Sequence, residues 1–298
     1  MEFPLVSIIT LNFNQTDATC AFLASTRNLT YPRFEIIVID NGSSVDPTKQ
    51  IEAGRYPHTR LIVAEKNLGF TGGNNLGMRE AKGDFIFLVN DDTEVTPDLI
   101  EKVLAPFAQD SLIGVVSPKI KFYDHPNIIQ YAGFQPMNPF TGRTGAHGNH
   151  EVDRGQYDTP GETYGAHGAA MMIKREVIEK VGMFADIFFL YYEEWDWSAR
   201  IRRAGYKIFY QAEATIYHKE SLSIGKASAV KTYYLTRNRI LYMRRNSESR
   251  ELFAFISFLI CFSIPKAIIS YVCTLQFKHL KAFINGVMWN VRTPLSSI

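Results

Sequence analysis

The chain has 298 residues, of which 46% are hydrophobic and 21% are charged, and its formal net charge is +2. This composition excludes a disordered chain and a membrane protein with many spans, and the length suits one large α/β domain with an appendage. Three cysteines without a CxxC pair indicate reduced thiols and no structural zinc, and the absence of a signal-peptide pattern at the N-terminus predicts a cytoplasmic protein.

Short apolar runs alternate with helical patterns through the first 90 residues. Strands are predicted at 6–12, 34–40, 60–65 and 84–90, and helices near 16–28 and 73–82. Because the strands are continuously apolar rather than alternating, we expect a parallel sheet that is covered on both faces. Such sheets bind ligands beyond the carboxyl ends of their strands.

Polar clusters follow three of the predicted strands. They are NFN after the first strand, DNGSS after the second and NDD after the fourth. Each cluster lies where a loop leaves the same edge of the sheet, so we expect the three clusters to share one crevice.

The NDD cluster, Asn90 to Asp92, places two adjacent carboxylates that repel each other at the end of a buried strand. A hard divalent cation such as Mg²⁺ or Mn²⁺ neutralises such a pair, takes oxygen ligands and is often shared with substrate phosphates. The alternative is a solvated turn in which Asp91 or Asp92 caps a helix that begins near Pro97.

The second region of the chain extends over about 113–220. Its strand candidates are 113–123, 207–211 and 214–218, and a stretch rich in Gly, Pro and His at 135–165 is interpreted as a mobile loop over the site.

The segment YYEEWDWSARIRRAGY predicts a helix with Glu193, Glu194 and Asp196 at its start. The helix dipole alone accounts for acidic residues at that end. The aromatic residues around them also suit a sugar site, in which a carboxylate acts as general base on an acceptor hydroxyl.

The C-terminal tail is apolar over 252–275 apart from Lys266, with Pro265 at its centre, and residues 200–250 contain twelve Lys or Arg against three acidic residues. We expect a broken interfacial hairpin or paired helices on an acidic membrane surface. The alternatives are a true membrane span, ordinary packing or homodimer contacts for the tail, and a solvated basic face for the charges.

Eight segments in order along residues 6 to about 245 resemble the family 2 glycosyltransferases of the GT-A fold, particularly the branch of rhamnosyltransferases and other polysaccharide or cell-wall sugar transferases. The segments are VSIITLNFN, IIVIDNGSS, NLGFTGGNNLG, FIFLVNDDTEV, GAHGAAMMIKREVIEKVGMF, FFLYYEEWDWSARIRRAGY, YHKESLS and YYLTRNRI. The resemblance implies an α/β GT-A domain at 1–245 with a central, mostly parallel mixed sheet. Its nucleotide-binding half would be 1–112 and its acceptor half 113–245, followed by an apolar helical tail at 246–298 that associates with a membrane.

By this resemblance NDD is the family's DxD-type motif, with Asn90 in the first position and Asp92 as the carboxylate most directly on the metal. Asn90 departs from the Asp of many members, and an amide oxygen binds a cation more weakly than a carboxylate. His218 matches a later histidine that completes the metal coordination, with a packed imidazole as the alternative.

The resemblance also implies donor contacts after the first two strands and in the glycine-rich segment. Asp40 would bond the nucleotide base, and Asn41 and Gly42 would form a tight turn beside it. The remaining implied contacts to base, ribose, pyrophosphate or donor sugar are Thr10, Asn12, Asn14, Asn67, Gly69, Gly72, Gly73, Asn74 and Asp91. Plain turns are the alternative for these residues.

Glu194 occupies the position usually filled by the family's Asp base and is one methylene longer. Asp196 is the second candidate, although it can instead pair with Arg200 one helical turn later. Glu193 would orient the acceptor or support the metal.

Two further segments of the resemblance contain residues that are implied to bind phosphate. His167 in GAHGAAMM would touch the donor phosphate or the acceptor, with a surface imidazole as the alternative. Arg237 and Arg239 in TRNRI would hold the diphosphate or the phosphate of a lipid-linked acceptor, with structural ion pairs as the alternative.

The implied reaction is inverting, metal-assisted transfer of a sugar from a UDP- or dTDP-sugar, such as dTDP-rhamnose, to a hydroxyl of a polysaccharide or lipid-linked oligosaccharide. We expect Mn²⁺ or Mg²⁺ as cofactor, the inner-leaflet membrane surface as a partner, and no nucleic acid. A sugar nucleotidyltransferase and a catalytically silent sugar- or membrane-binding module are the alternatives.

Overall fold

The computed structural model describes residues 3–219 and 228–294, so the end of the YHKESLS segment, 220–223, lies outside the described residues. The strands are β1 Val6–Asn12, β2 Phe34–Asp40, β3 Thr59–Val63, β4 Phe85–Val89, β5 Thr93–Val95, β6 Ile113–Phe122, β7 Ile129–Tyr131, β8 Gly161–Thr163, β9 Ala170–Lys174 and β10 Lys207–His218. The helices are α1 Thr16–Thr26, α2 Thr48–Ala53, α3 Gly69–Glu80, α4 Leu99–Gln109, α5 Arg175–Val181, α6 Glu193–Arg203, α7 Ala229–Asn246, α8 Ser249–Phe258, α9 Ile264–Cys273 and α10 Phe277–Arg292.

The described strands form one mixed sheet with the order β3-β2-β1-β4-β9-β6-β10-β5, with β7 added to β6 and β8 added to β10. The strands β3, β2, β1 and β4 are parallel neighbours, and β10 is parallel to β6. Since β9 is antiparallel to both β4 and β6, these six strands run in one direction. The mostly parallel mixed sheet expected from the sequence is confirmed.

The sheet has an apolar core on each face, because successive side chains of a strand point to opposite sides. Ile8 and Ile36 belong to one core, whereas the adjacent Ile9 and Ile37 belong to the other. This double burial is the reason for the continuously apolar strands in the sequence.

Helix α3 begins at Gly69, four residues before the predicted start at 73. The Asn67 Oδ1 accepts a hydrogen bond of 2.8 Å from the Gly69 amide, and Gly69 has φ +73°, which favours glycine. A Cβ at Gly69 would lie 2.4 Å from the Phe189 carbonyl oxygen. Asn67 and Gly69 therefore fix both the start of α3 and its contact with the loop before α6.

The strand candidates at 207–211 and 214–218 form one strand, β10, rather than two. Its register against β6 shifts between Gln211 and Thr215, which explains why the apolar pattern breaks there.

The tail is not broken at Pro265, contrary to the expectation from sequence. Helix α8, a π-helical turn at 259–263 and α9 form one helix, Ser249–Cys273, which is long and apolar enough to cross a membrane by length and composition. In a regular helix the proline ring clashes with the carbonyl four residues earlier, here Cys261, and the wider π turn makes room for it. Much of the apolar surface of this helix is exposed, with Phe253 at 75%.

Helix α10 returns from the tail and packs along α7. The Arg244 guanidinium on α7 donates to the carbonyls of Asn290 at 2.9 Å and Thr293 at 2.7 Å. The Asn290 Nδ2 donates to the Arg237 carbonyl at 2.9 Å, so the last helix is tied to the sheet domain through α7.

Helix α6 is tied to α7 by Asp196, whose side chain is 1% exposed. Its carboxylate accepts hydrogen bonds of 2.9 Å from Arg200 Nε, Arg245 Nε and Asn246 Nδ2. Burial raises the pKa of Asp196, but the hydrogen bonds from Arg245 and Asn246 and the two arginine charges outweigh it and hold the pKa below its ordinary value.

Replacing Asp196 with Ala should lower the free energy of unfolding by about 3 kcal/mol or more, because two arginines lose their buried counter-charge. Asp98→Ala is the matched control, since Asp98 makes an exposed ion pair with Lys102 at 2.7 Å, and it should cost less than about 1 kcal/mol. Urea denaturation of both variants measures the difference. Equal losses in the two variants would contradict the role given to Asp196.

Candidate active site

The carboxyl ends of β1, β2 and β4 are joined by buried hydrogen bonds. The Asn12 Nδ2 donates to Asp40 Oδ1 at 2.7 Å, and the Thr19 Oγ1 lies 2.9 Å from both Asn12 Oδ1 and Asp91 Oδ2. A hydroxyl has one proton to donate. Both hydrogen bonds of Thr19 therefore form when a protonated Asp91 donates to Thr19 and Thr19 donates to Asn12. The polar clusters that follow these strands therefore meet at one edge of the sheet, as predicted.

A cavity of about 460 Å³, here called the edge cavity, opens beyond this edge of the sheet. The predicted site residues that line it are Asn41, Asn67, Gly69, Asn90, Asp91, Asp92, His167, Glu193, Glu194 and His218. The candidate metal ligands and the candidate bases thus share one cavity.

The structure does not place Thr10 and Asn12 in the lining of the edge cavity. Side chains alternate along β1, and Leu11 and Phe13 face the cavity instead. Thr10 is fully buried and its hydroxyl lacks a partner among the described residues. The sequence does not show which of the two alternating sets of side chains faces the cavity, because β1 is buried on both faces.

Asp40 and Asn14 also lie outside the lining, and both support the turn after β2. Asp40 accepts from Ser43 Oγ at 2.6 Å, and Asn14 Oδ1 accepts from the Ser44 amide at 2.8 Å. Gly42 in this turn has φ +74°, and a Cβ there would lie 2.5 Å from the Lys66 carbonyl carbon. The turn is therefore pressed against the segment that leads to α3.

Gly72, Gly73 and Asn74, predicted as donor contacts near the start of a helix, lie inside α3 and do not line the edge cavity. A Cβ at Gly73 would lie 3.1 Å from the Leu11 methyl groups, so this residue lets α3 approach β1. The Asn74 Nδ2 donates to the Phe70 carbonyl at 2.9 Å within the helix.

The two carboxylates of the NDD cluster face different partners. Asp91 contacts Thr19, and burial together with the charge of Asp92 raises the pKa of Asp91 to about 8. Asp92 faces β10, where its Oδ1 lies 3.0 Å from the His218 Nε2. Both carboxylates line the edge cavity, but Asp91 is held by Thr19 whereas Asp92 faces His218.

The Asp92 carboxylate and the His218 imidazole approach each other closely. The His218 Nδ1 is 2.8 Å from the Gln130 Oε1, so in the neutral imidazole Nδ1 donates to Gln130 and Nε2 presents a lone pair to Asp92. Although the two atoms are 3.0 Å apart, neither has a hydrogen-bond partner among the described residues. A divalent cation between them would satisfy both.

The residues present fit a metal shared with a ligand rather than a closed protein site. The described residues contain no group of three or more His, Cys, Asp or Glu side chains that could hold a metal. Asp92 and His218 supply two ligands, and Mn²⁺ or Mg²⁺ commonly takes its remaining ligands from water and substrate phosphates.

His167 lies beside this pair and is neutral. Burial, with a smaller effect from His218, lowers the pKa of His167 to about 3. Its Nδ1 accepts a hydrogen bond of 3.1 Å from the Ala169 amide, which leaves Nε2 as the protonated nitrogen. The imidazole can therefore donate to an anionic oxygen in the cavity without carrying charge.

Glu193 and Glu194 begin α6 and line the same edge cavity. Burial raises the pKa of Glu194 to about 7, and burial with the charge of Glu194 raises that of Glu193 well above its ordinary value. The Oε2 of each carboxylate is buried without a partner among the described residues. Asp196 differs, because it is held by Arg200, Arg245 and Asn246 outside the lining and is a poor base.

The loop before α6 is strained, with φ near +60 to +70° at Phe189, Tyr191 and Tyr192. Such residues cost on the order of 1 kcal/mol or more each and persist where the surroundings hold them. The Asn238 Nδ2 on α7 donates to the carbonyls of Phe188, Leu190 and Tyr191 at 2.7 to 2.9 Å.

Arg237, predicted to bind phosphate, also holds this loop, and it does not line the edge cavity. Its Nη2 donates to the carbonyls of Ile187 at 2.6 Å and Phe188 at 2.7 Å, and its guanidinium lies over the Trp289 ring. The TRNRI segment therefore holds the loop that carries Glu193 and Glu194.

A second cavity of about 700 Å³, here called the tail cavity, lies between residues 134–144, the start of α6, α7 and the helix Ser249–Cys273. Tyr191 and Glu194 line both cavities. Glu194 is thus a carboxylate that lies where the edge cavity and the tail cavity meet. No pattern of residues in the sequence indicates this position.

The family model for glycosyl transferase family 2 matches residues 7–182. Among curated relatives, the protein y4gI of Sinorhizobium fredii is 29% identical over 268 residues, which cover 83% of this chain but only 28% of that protein. The N-acetylglucosaminyl-diphospho-decaprenol L-rhamnosyltransferase of Mycobacterium tuberculosis is 26% identical over 236 residues, which cover 70% of this chain and 74% of that protein.

Among solved structures, the chain is similar to the mannosyltransferase PcManGT from Pyrobaculum calidifontis in complex with GDP-Man and Mn²⁺. The TM-score is 0.61 at 15% sequence identity, over 98% of this chain and 88% of that one. The two chains share a fold.

The raised pKa of Glu194 predicts a stability change with pH. Between 4.5 and about 7 the folded protein binds a proton at Glu194 that the unfolded chain has released, so stability falls as pH rises through this window. Glu194→Gln removes the ionisation, and its melting temperature should exceed that of the parent at pH 8 but not at pH 4. Glu162→Gln, at an exposed site, is the control. Parallel pH curves for parent and Glu194→Gln would contradict this.

Proposed function

The chain belongs to glycosyl transferase family 2, and on this premise we propose that it moves a sugar from a UDP- or dTDP-sugar to a hydroxyl of a glycan or lipid-linked acceptor, with inversion. The protein is a glycosyltransferase with a GT-A fold.

The donor's diphosphate would lie in the edge cavity, where Asp92 and His218 hold a divalent cation with Asn90 beside them. When bound, this cation neutralises charge on the departing diphosphate. The proton on His167 Nε2 supplies a hydrogen bond to a phosphate oxygen. The unsatisfied contact between Asp92 and His218 supports this assignment.

Glu194 is the proposed general base, and one observation carries the assignment: it lines both the edge cavity and the tail cavity. A donor in the first cavity and an acceptor in the second would meet at its carboxylate. A pKa of about 7 makes Glu194 a stronger base than an ordinary carboxylate while it is still substantially ionised near neutral pH.

The transfer is a single displacement. The acceptor oxygen forms a bond to the anomeric carbon as the bond from that carbon to the donor's phosphate oxygen breaks. The nucleoside diphosphate leaves with the electron pair, and the acceptor's proton passes to Glu194. Glu193, which is buried with a strongly raised pKa, remains protonated and orients the acceptor.

We assign the exposed apolar tail to the cytoplasmic face of a membrane. Phe253, Phe262 and Ile269 are all more than half exposed. Arg250 lies at the start of the same helix and suits anionic lipid headgroups. The enzyme would then work beside the surface that holds a lipid-linked acceptor.

Two measurements test the reaction. In a thermal-shift panel of UDP- and dTDP-sugars, one nucleotide class should stabilise the protein, and the stabilisation should be larger with Mn²⁺ than without it. A ligand at 100 times its dissociation constant adds about 2.7 kcal/mol to the free energy of unfolding. With the donor found, Glu194→Gln should keep this shift and lose at least about 100-fold in release of nucleoside diphosphate.

Glu162→Gln, the exposed control, should turn over like the parent. Full turnover by Glu194→Gln would remove the base assignment. Release of pyrophosphate in place of nucleoside diphosphate would identify a nucleotidyltransferase instead.

A further inference from the structure

The tail cavity contains three cations from three separate elements. Arg143 comes from the loop between β7 and β8, Arg239 from α7 and Lys266 from α9. None of the three forms an ion pair with a carboxylate in the described part of the chain. Glu194 is the one carboxylate among the described residues that line this cavity, so the cavity carries an excess of positive charge.

Arg239 is the most constrained of these groups, because it is 6% exposed and its Nε has no hydrogen-bond partner among the residues described. Burial lowers the pKa of Arg239, and the charge of Arg143 lowers it further. A buried guanidinium beside a second one is costly unless an anion joins them. Phosphate oxygens match this need, because arginine binds them in pairs.

Apolar side chains from the tail form part of the remaining wall of the tail cavity, beside hydroxyl groups such as that of Ser263. Phe258, Phe262 and Ala267 line it from the helix Ser249–Cys273, and Phe283 lines it from α10. Phe262 is 64% exposed at the outer surface of that helix. An apolar chain leaving the cavity would thus reach the surface that we assign to the membrane.

We propose that the tail cavity binds the diphosphate of a polyprenyl-type acceptor, with Arg143, Arg239 and Lys266 on its phosphates and the lipid chain along the apolar helix. This assignment rests on the proposed function and narrows its acceptor to a lipid diphosphate. The sugar carried by that diphosphate would extend toward Glu194, which lines the same cavity.

Farnesyl diphosphate is a suitable probe, measured by calorimetry on the full chain in non-ionic detergent with EDTA present. EDTA removes the cation, so the probe does not bind through a metal in the edge cavity. Farnesyl diphosphate should bind at least tenfold more tightly than farnesol, and Arg143→Ala and Arg239→Gln should each weaken it at least tenfold. Arg154→Ala, an exposed arginine of the same loop that lines neither cavity, is the matched control and should bind like the parent.

The variants also distinguish a failure of this proposal from a failure of the proposed function. Stabilisation by a nucleotide sugar with Mn²⁺ should be unchanged in Arg143→Ala, because Arg143 lies outside the edge cavity. Parent-like binding of farnesyl diphosphate by Arg143→Ala would overturn the phosphate site even if the donor binds. Absence of any donor, with farnesyl diphosphate still bound, would overturn the proposed reaction alone.

A vesicle assay separates the acceptor from an ordinary lipid headgroup. Parent and Arg143→Ala should sediment equally with vesicles of phosphatidylcholine and phosphatidylglycerol. If Arg143→Ala instead loses vesicle binding while its affinity for farnesyl diphosphate is unchanged, the basic side chains of the tail cavity bind membrane headgroups. The acceptor assignment is then wrong.

Discussion

The site depends on one unsatisfied contact, the 3.0 Å approach of Asp92 Oδ1 to His218 Nε2. The sheet imposes this approach. Thr93 of β5 pairs with His218 of β10, and the Lys219 amide donates to the Asp92 carbonyl at 2.8 Å. Backbone pairing on both sides holds the Cα atoms of the two residues close together, so both side chains lie at one edge of the sheet. A divalent cation bound by both side chains would satisfy this contact, and the proposed donor site rests on it.

The position of Glu193 and Glu194 depends on a second constraint, the strained loop that precedes them. Asn238 and Arg237 hold its carbonyls from α7, and Asp196 ties α6 to the same helix. Helix α7 also lines the tail cavity and packs against α10. One helix therefore contacts the loop that carries the candidate base, the tail cavity and the last helix of the tail.

The sequence predicted the strands, the shared edge and the acidic cluster well, because continuous apolar runs and polar breaks follow directly from burial. It did less well wherever a role depends on the direction of a side chain. Thr10 and Asn12 are polar and close to the site in sequence, yet Leu11 and Phe13 face the edge cavity. Arg237 and Arg239 are two residues apart on α7, and only Arg239 reaches a cavity. The junction at Glu194 arises from tertiary packing of the tail, which no local pattern contains.

The most direct test of the central claim is a titration of Mn²⁺ followed by the electron paramagnetic resonance signal of the free ion, with UDP or dTDP present. The account predicts one bound Mn²⁺ per chain, with affinity at least tenfold weaker in Asp92→Asn and unchanged in Glu94→Gln, an exposed carboxylate two residues away. Equal Mn²⁺ affinity in Asp92→Asn and the parent protein would contradict it.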